Sequence, residues 1–271
     1  MTTVENIGFI GTGNMATALI KGLIKSGAYG RNNLLAADKI EASLKKAGEE
    51  FGIRCCTSNL ELVSESAVIV LSVKPQNMRE VLEEIKGAIR KDHLIISIAA
   101  GIPLKMIREI VGIDLPMIRV MPNTPALIQE GASALASGPL AGEEEMAVAR
   151  KIFSAVGITV EVEEKMMDAV TALSGSGPGY VFRIMECMVE AGTNVGLEHD
   201  VALKLVIQTF LGAARLAGES EHSLTDLRKM VTSPGGTTAA GLGVFEESGL
   251  KDIIVKAVDA ACKRGVELGK K

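Results

Sequence analysis

The sequence has no tryptophan, two tyrosines and six phenylalanines, so its core must be built mainly from Ala, Val, Ile, Leu and Met. Histidine is nearly as scarce, with three residues, which leaves few groups that change charge near neutral pH. The four cysteines, Cys55, Cys56, Cys187 and Cys262, show no C-x-x-C spacing. That pattern argues against a disulfide framework or a metal site, and all four are expected to be reduced core thiols, with Cys55 and Cys56 on opposite faces of a strand. Neither sign of charge dominates: 29 Lys+Arg against 33 Asp+Glu leaves −4, without the basic excess of a nucleic-acid surface. The longest apolar stretches, residues 67–73 and 94–102, fall well short of the ~20 residues that cross a bilayer, so no membrane partner is expected. The N-terminus has no basic segment leading into an apolar one, so no secretory signal is expected and the compartment is read as cytoplasmic.

What is present is a chain of 271 residues, 47% apolar, with 29 glycines. At about 150 residues per domain this suggests two units. The apolar share excludes disorder. The glycines cluster rather than repeat, which excludes a collagen-like chain.

The first half alternates strand and helix. Apolar runs at 7–10, 34–37, 53–56, 67–73, 94–98, 117–120 and 132–136 read as strands, with helical stripes at 41–50, 59–64 and 78–89. Ser58 is a candidate N-cap, and Pro103 opens a further helix. The β-α-β-α-β order predicts an α/β, doubly wound, mainly parallel sheet. After a last strand at 158–162 only helical periodicity remains, at 178–195, 201–216, 224–231, 239–247 and 250–268. These helices are apolar on more than one side and carry small residues such as Gly192 and Gly212 that allow close packing. The expected division is a Rossmann-type dinucleotide-binding domain over 1–162 and an all-α domain over 163–271 that buries part of its surface against another subunit.

Gly11-Thr12-Gly13-Asn14-Met15-Ala16 follows the first strand and opens a helix. Small residues here permit a tight turn, close backbone approach to a pyrophosphate and helix-on-strand packing. Asp38, at the end of the second strand, would bond ribose hydroxyls and favour NADH, whereas neighbouring Lys39 would pair with a 2′-phosphate and favour NADPH. Val73-Lys74-Pro75-Gln76, Ala99-Ala100-Gly101 and Met121-Pro122-Asn123-Thr124-Pro125 end further strands, where open α/β sheets bind ligands, and suit a nicotinamide ribose. In the helical half, Ser174-Gly175-Ser176-Gly177-Pro178 reads as a loop between helices. Thr232-Ser233-Pro234-Gly235-Gly236-Thr237-Thr238 runs into a helix expected to begin at Ala239. Its N–H groups would receive a carboxylate, or else simply cap the helix.

The stretches Asp168–Pro178 and Ser233–Thr238, together with Gly11-Thr12-Gly13, Val73-Lys74-Pro75, Ala99-Ala100-Gly101 and Asn123-Thr124-Pro125 in that order, resemble the pyrroline-5-carboxylate reductase family over nearly the whole chain. The resemblance implies hydride transfer from NADPH or NADH to 1-pyrroline-5-carboxylate, giving L-proline, the last step of proline biosynthesis. It implies that Ile10–Met15 (Ile10, Gly11, Thr12, Gly13, Asn14, Met15) cover the pyrophosphate. Asn59, Val73 and Lys74 would touch adenosine and ribose, with Ala100 at the nicotinamide end. It places the substrate carboxylate on Gly236, Thr237 and Thr238, the Thr238 hydroxyl at the ring nitrogen, and Glu164 near the substrate. It also implies a homodimer through the helical domain, assembled in many relatives into larger homo-oligomers. Asp38 departs from the Ser or Asn common in the family, and Met230 stands where some relatives have a polar residue.

A cyclic iminium ion accepts hydride without a strong electrophilic group, so proximity and orientation carry the reaction. His93, His199 and His222 are therefore expected to be structural or solvated, and Thr238 to orient the ring. Two rival readings are a 3-hydroxyacid dehydrogenase, which would want a Lys where residues 180–190 offer only Arg183, and a nicotinamide-sensing regulator without turnover.

Overall fold

The computed structural model describes residues 6–269. Strands β1 (Ile7–Ile10), β2 (Leu34–Ala37), β3 (Arg54–Cys55), β4 (Val68–Leu71), β5 (Leu94–Ser97) and β6 (Met117–Met121) are connected in turn by five helices. These are α1 (Asn14–Ser26), α2 (Glu41–Phe51), α3 (Asn59–Glu65), α4 (Met78–Ile85) and α5 (Leu104–Val111). β7 (Gly131–Ser137), α6 (Glu143–Ser154) and β8 (Gly157–Glu161) complete one sheet of order β3-β2-β1-β4-β5-β6-β7-β8. Pairing is parallel throughout except between β6 and β7. The order reverses between β1 and β4, the position where doubly wound sheets open a crevice for a ligand.

Alternation along each strand sorts the core into two layers. Ile7, Phe9, Val68, Val70 and Ile96 pack with Leu19, Ile20 and Leu23 of α1 and with Phe153 of α6 on one face. Ile10, Ile69, Leu71 and Ile95 pack with Leu62, Leu82, Ile85 and Ile107 on the other. Each fully buried Leu or Ile contributes about 1.5–3 kcal/mol, so both helical layers are firmly seated. α4 stops at Ile85, short of the expected 89, because the chain turns at Gly87, yet Ile89 is still buried. β3 keeps only two of its four expected residues.

Five of the remaining helices are α7 (Met167–Val170), α8 (Gly177–Asn194), α9 (His199–Glu219), α10 (Leu224–Met230) and α11 (Thr237–Glu247), and α12 (Leu250–Leu268) closes the chain. Compact unit one runs to Ser176 and resumes at Ala261, and unit two is Gly177–Ala260. The division of 162/163 read from the sequence follows the change from strands to helices. The compact units divide later because Met167 packs with Ala134 and Ala136 of β7. The stretch expected to be a loop at Ser174–Pro178 is instead a π-helical turn, Thr171–Gly175, followed at once by α8. The Ser176 N–H donates to the Thr171 carbonyl at 2.8 Å, and bare Gly175 admits the Met121 methyl group.

Unit two has a small core of its own, Val189, Ala202 and Val206 with Met185 and Phe210 against them. Gly192 allows the close approach of α8 and α9, since a Cβ there would meet that of Ala202 at 3.1 Å. Phe182, Leu205, Ile207, Val244 and Ile253 remain about half exposed in the single chain. α9 is long and apolar enough, by length and composition, to cross a membrane. A count of unbroken apolar runs passes over it because Lys204, Gln208 and Thr209 interrupt the sequence.

The thiols need a correction. Only Cys56 is buried; Cys55 and Cys187 are exposed and Cys262 is intermediate. Cys55 and Cys56 do point to opposite sides of the β3 edge, and burial, with Glu61 nearby, pushes the Cys56 thiol up to about 11. His93 is structural, as expected: fully buried, its Nδ1 accepts from the Arg90 N–H at 3.2 Å, and Nε2 has no partner. Burial, then Arg90, lowers its pKa, so the folded state holds the ring neutral. The unfolded chain therefore binds the extra proton first, and stability falls as pH drops below about 6.5. Urea unfolding at pH 7 and pH 5 should show a smaller loss of stability in His93→Asn than in the parent; equal losses would contradict this account of His93.

Candidate active site

Six parallel strands end at one edge of the sheet, so the turns after β1, β4, β5 and β6 gather there. The Gly11 N–H donates to the Ala37 carbonyl at 2.8 Å, and the Ser72 N–H to that of Ile10 at 3.0 Å. The Ser72 hydroxyl lies 2.9 and 2.8 Å from the Ile10 and Gly11 carbonyl oxygens. Gly11 has φ +96°, and a Cβ on it would come within 2.9 Å of the Ser72 carbonyl, so glycine is required. α1 then starts on Gly13 with no side-chain cap and no acid in its first turn. Ser58 and Ser223, in contrast, cap α3 and α10. An uncapped helix end carries unpaired N–H donors and partial positive charge, which is what a pyrophosphate needs.

Beside this turn lies a cleft of about 380 Å³. It brings together Ile10, Gly11, Gly13, Asp38, Lys39, Asn59, Val73 and Lys74 of the expected cofactor residues. Thr12 and Asn14 face a neighbouring cleft of about 390 Å³, which shares Gly13, on the α2 side of α1. Met15 packs partly into the core. Pro75 starts a short 3₁₀ turn, while Ala99, Ala100, Gly101 and Asn123 line neither cleft. The Gly11–Gly13 cradle and the adjoining cleft fit a dinucleotide.

Asp38 is held in place by the Gly-rich turn. One carboxylate oxygen accepts from the Thr12 N–H at 2.7 Å and the Thr12 hydroxyl at 2.8 Å, and the other accepts from the Ile40 N–H at 2.8 Å. Lys39 is exposed. Glu80 and Glu84 also line the cleft, and Glu84 accepts from the Asn59 amide at 2.8 Å. Asn123 acts as a tie: its Oδ1 accepts from the Ala132 N–H at 2.9 Å and its Nδ2 donates to the Ser174 hydroxyl at 3.3 Å.

Within unit two, α11 begins at Thr237, two residues earlier than expected, which places Thr237 and Thr238 in its first turn. It starts on Gly236, again with no side-chain cap and no acid in the first turn. The Gly236 N–H is already spent on the Ser233 carbonyl at 3.0 Å, so it drops out of the expected donor set, and the open donors belong to the first helical turn. Gly236 has a steric reason as well, because a Cβ there would sit 2.7 Å from the Ser233 hydroxyl oxygen. Gly235, at φ +69°, makes the preceding turn. The Thr238 side chain is exposed, and its hydroxyl makes no hydrogen bond among the described residues.

Glu164 is more engaged than a solvated acid. Its Oε1 accepts from the Leu104 N–H at 2.7 Å and lies 3.8 Å from buried Arg119, which also faces Asp168 at 3.6 Å. Burial lowers the Arg119 pKa, while Asp168 and then Glu164 oppose that shift. Arg119 was missed in the sequence, although a charge inside the apolar run 117–121 was a signal for it. Ser72, a lone hydroxyl ending the apolar run of β4, was missed for the same reason.

A family model for pyrroline-5-carboxylate reductase dimerisation matches residues 164–268, and one for NADP oxidoreductase, coenzyme F420-dependent, matches residues 6–101. The pyrroline-5-carboxylate reductase of Methanosarcina acetivorans is 43% identical over 98% of this chain and 99% of its own. A pyrroline-5-carboxylate reductase structure from Coxiella burnetii superposes with TM-score 0.94 at 38% identity, covering 99% of this chain and 100% of that one. The Plasmodium falciparum pyrroline carboxylate reductase, solved with NADP bound, gives TM-score 0.86 at 32% identity, with 98% of each chain covered. A Rossmann-like unit with a dinucleotide turn, a helical unit with an uncapped Gly-Gly-Thr-Thr helix start, and full-length identity of this order together place the chain in the pyrroline-5-carboxylate reductase family.

Proposed function

We propose that the protein reduces 1-pyrroline-5-carboxylate to L-proline. The observation that carries this reading is the pair of uncapped, glycine-led helix starts, at α1 and at α11. The bound nicotinamide, in its reduced form, supplies the hydride. The first turn of α1 holds the pyrophosphate, and Asp38 meets the adenosine ribose. The N–H groups of Thr237 and Thr238, with that of Ala239, receive the substrate carboxylate. Neither end has an acid in its first turn to compete for these donors.

The substrate ring reacts as an iminium ion, so the protein needs no strong acid; it orients the ring and excludes water. The Thr238 hydroxyl, one residue into α11, hydrogen-bonds the ring nitrogen as it becomes an amine. His199 and His222 are exposed, and the chemistry calls on neither. Two copies pair through the exposed apolar surfaces of α8, α9, α11 and α12, which gives α9 a protein partner rather than a lipid one. The cytoplasm is the setting we assign.

Removing the Thr238 hydroxyl should lower kcat/KM for the imine by about ten- to a hundredfold, the scale of one charge-assisted hydrogen bond at ~1.5–3 kcal/mol. Steady-state kinetics of Thr238→Ala measure this, and unchanged values would take Thr238 out of the site. Asp38 sets a second expectation. Its carboxylate disfavours a 2′-phosphate, so Asp38→Ser should raise the NADPH-to-NADH ratio of kcat/KM by about tenfold. A ratio that stays put would show that Lys39 and Lys74 govern the choice instead.

A further inference from the structure

Helix α4 faces the cleft beside the Gly-rich turn with two carboxylates that its own stability does not call for. Its apolar side, Met78, Val81, Leu82 and Ile85, is buried against the sheet. Glu80 and Glu84, one turn apart, line the cleft that also holds Asp38, Lys39, Asn59 and Lys74. Like charges at that spacing weaken a helix. Glu83 is paired with Lys86 at 2.6 Å, whereas neither Glu80 nor Glu84 has a cationic partner among the described residues. Glu84 instead accepts from the Asn59 amide at 2.8 Å. A carboxylate only accepts, so this bond fixes which way the Asn59 amide is turned and leaves its Oδ1 as an acceptor for something else.

Acceptors are what the two hydroxyls of a ribose require. Asp38 has little left to give: its carboxylate takes two hydrogen bonds from Thr12 and one from the Ile40 N–H, which leaves about one lone-pair position. A 2′-phosphate brings only acceptors and negative charge, and it would meet Asp38, Glu80 and Glu84 against Lys39 and Lys74. We infer that Glu84 is a specificity-determining residue for the cofactor. It holds Asn59 as a second acceptor for the adenosine ribose, and its charge disfavours a 2′-phosphate there, so that NADH is favoured over NADPH. This rests on reading the cleft as the adenosine end of a nicotinamide dinucleotide and is independent of the imine.

The test uses the full-length protein and measures dissociation constants of NADH and NADPH by fluorescence titration, without imine, at low and at high salt. Glu84 is exposed on the helix surface, so its replacement leaves the fold intact. Glu84→Gln keeps an acceptor for Asn59 and loses the charge. It should tighten NADPH about fivefold at low salt and leave NADH within about twofold, and the gain should shrink at high salt. Glu84→Ala loses the hydrogen bond as well, so it should also weaken NADH about threefold. In an Asn59→Ala background, Glu84→Ala should no longer affect NADH, because the two residues act as one unit. An unchanged NADPH constant in Glu84→Gln, a change shared equally by both cofactors, or a gain that ignores salt would overturn the assignment. So would unchanged NADH binding in Glu84→Ala, or a loss there that persists without Asn59. Failure to turn over the imine would defeat the functional reading alone, since no imine enters these titrations.

Discussion

An α-helix leaves its first backbone N–H groups without partners, and much of this protein depends on where those groups are satisfied and where they are left open. α3 and α10 close their ends with serine side chains, and α6 uses Glu145. α5 borrows Glu164 from a distant part of the chain. α1 and α11 begin on glycine and are left uncapped. Leaving a helix end open costs stability, about 1 kcal/mol for a missing cap, and in the function we propose an anion takes the place of the cap at α1 and α11. A dinucleotide and an amino-acid-like substrate each bring one such anion.

The division of labour between the two units follows from their cores. The sheet is covered on both faces by interlocking aliphatic side chains, which makes its edge a rigid platform. Rigid placement suits a reaction that relies on orientation rather than on acid–base groups. The helical unit buries only a few side chains of its own and presents apolar faces outward. Such a unit gains its stability by association, in keeping with its match to a dimerisation family.

Much of the architecture could be read from the sequence because it rests on local pattern. Apolar runs bounded by Gly, Pro or Ser located β1, β2 and β4 to within a residue or two, and the strand–helix alternation predicted the parallel sheet. Gly11, Gly235 and Gly236 were legible because each stands where a side chain would clash or strain. What the sequence hid was non-local. No local rule says that Thr171–Gly175 forms a π turn leading into α8, since the bare Gly175 there makes room for Met121 on a strand some fifty residues away in the chain. Asp38 could be placed near the ribose, but not its two hydrogen bonds back to the turn. The engagement of Glu164 with Leu104 and Arg119 was hidden because both partners are remote in sequence. The exposure of Cys55 and Cys187 was misjudged because cysteine is by habit a buried residue, and composition does not report a β edge or an outward helix face.

The central claim is that an open helix end in each unit holds an anion, one on the cofactor and one on the substrate, so that the imine is reduced by positioning. Its most direct test follows the oxidation of NADH and of NADPH by absorbance, with 1-pyrroline-5-carboxylate and with the same ring lacking the carboxylate. The account predicts turnover of the carboxylated imine with at least one cofactor, and a kcat/KM for the bare ring lower by about a hundredfold, the loss of a charge-assisted contact at ~3 kcal/mol. No turnover with either cofactor, or equal use of both rings, would contradict it.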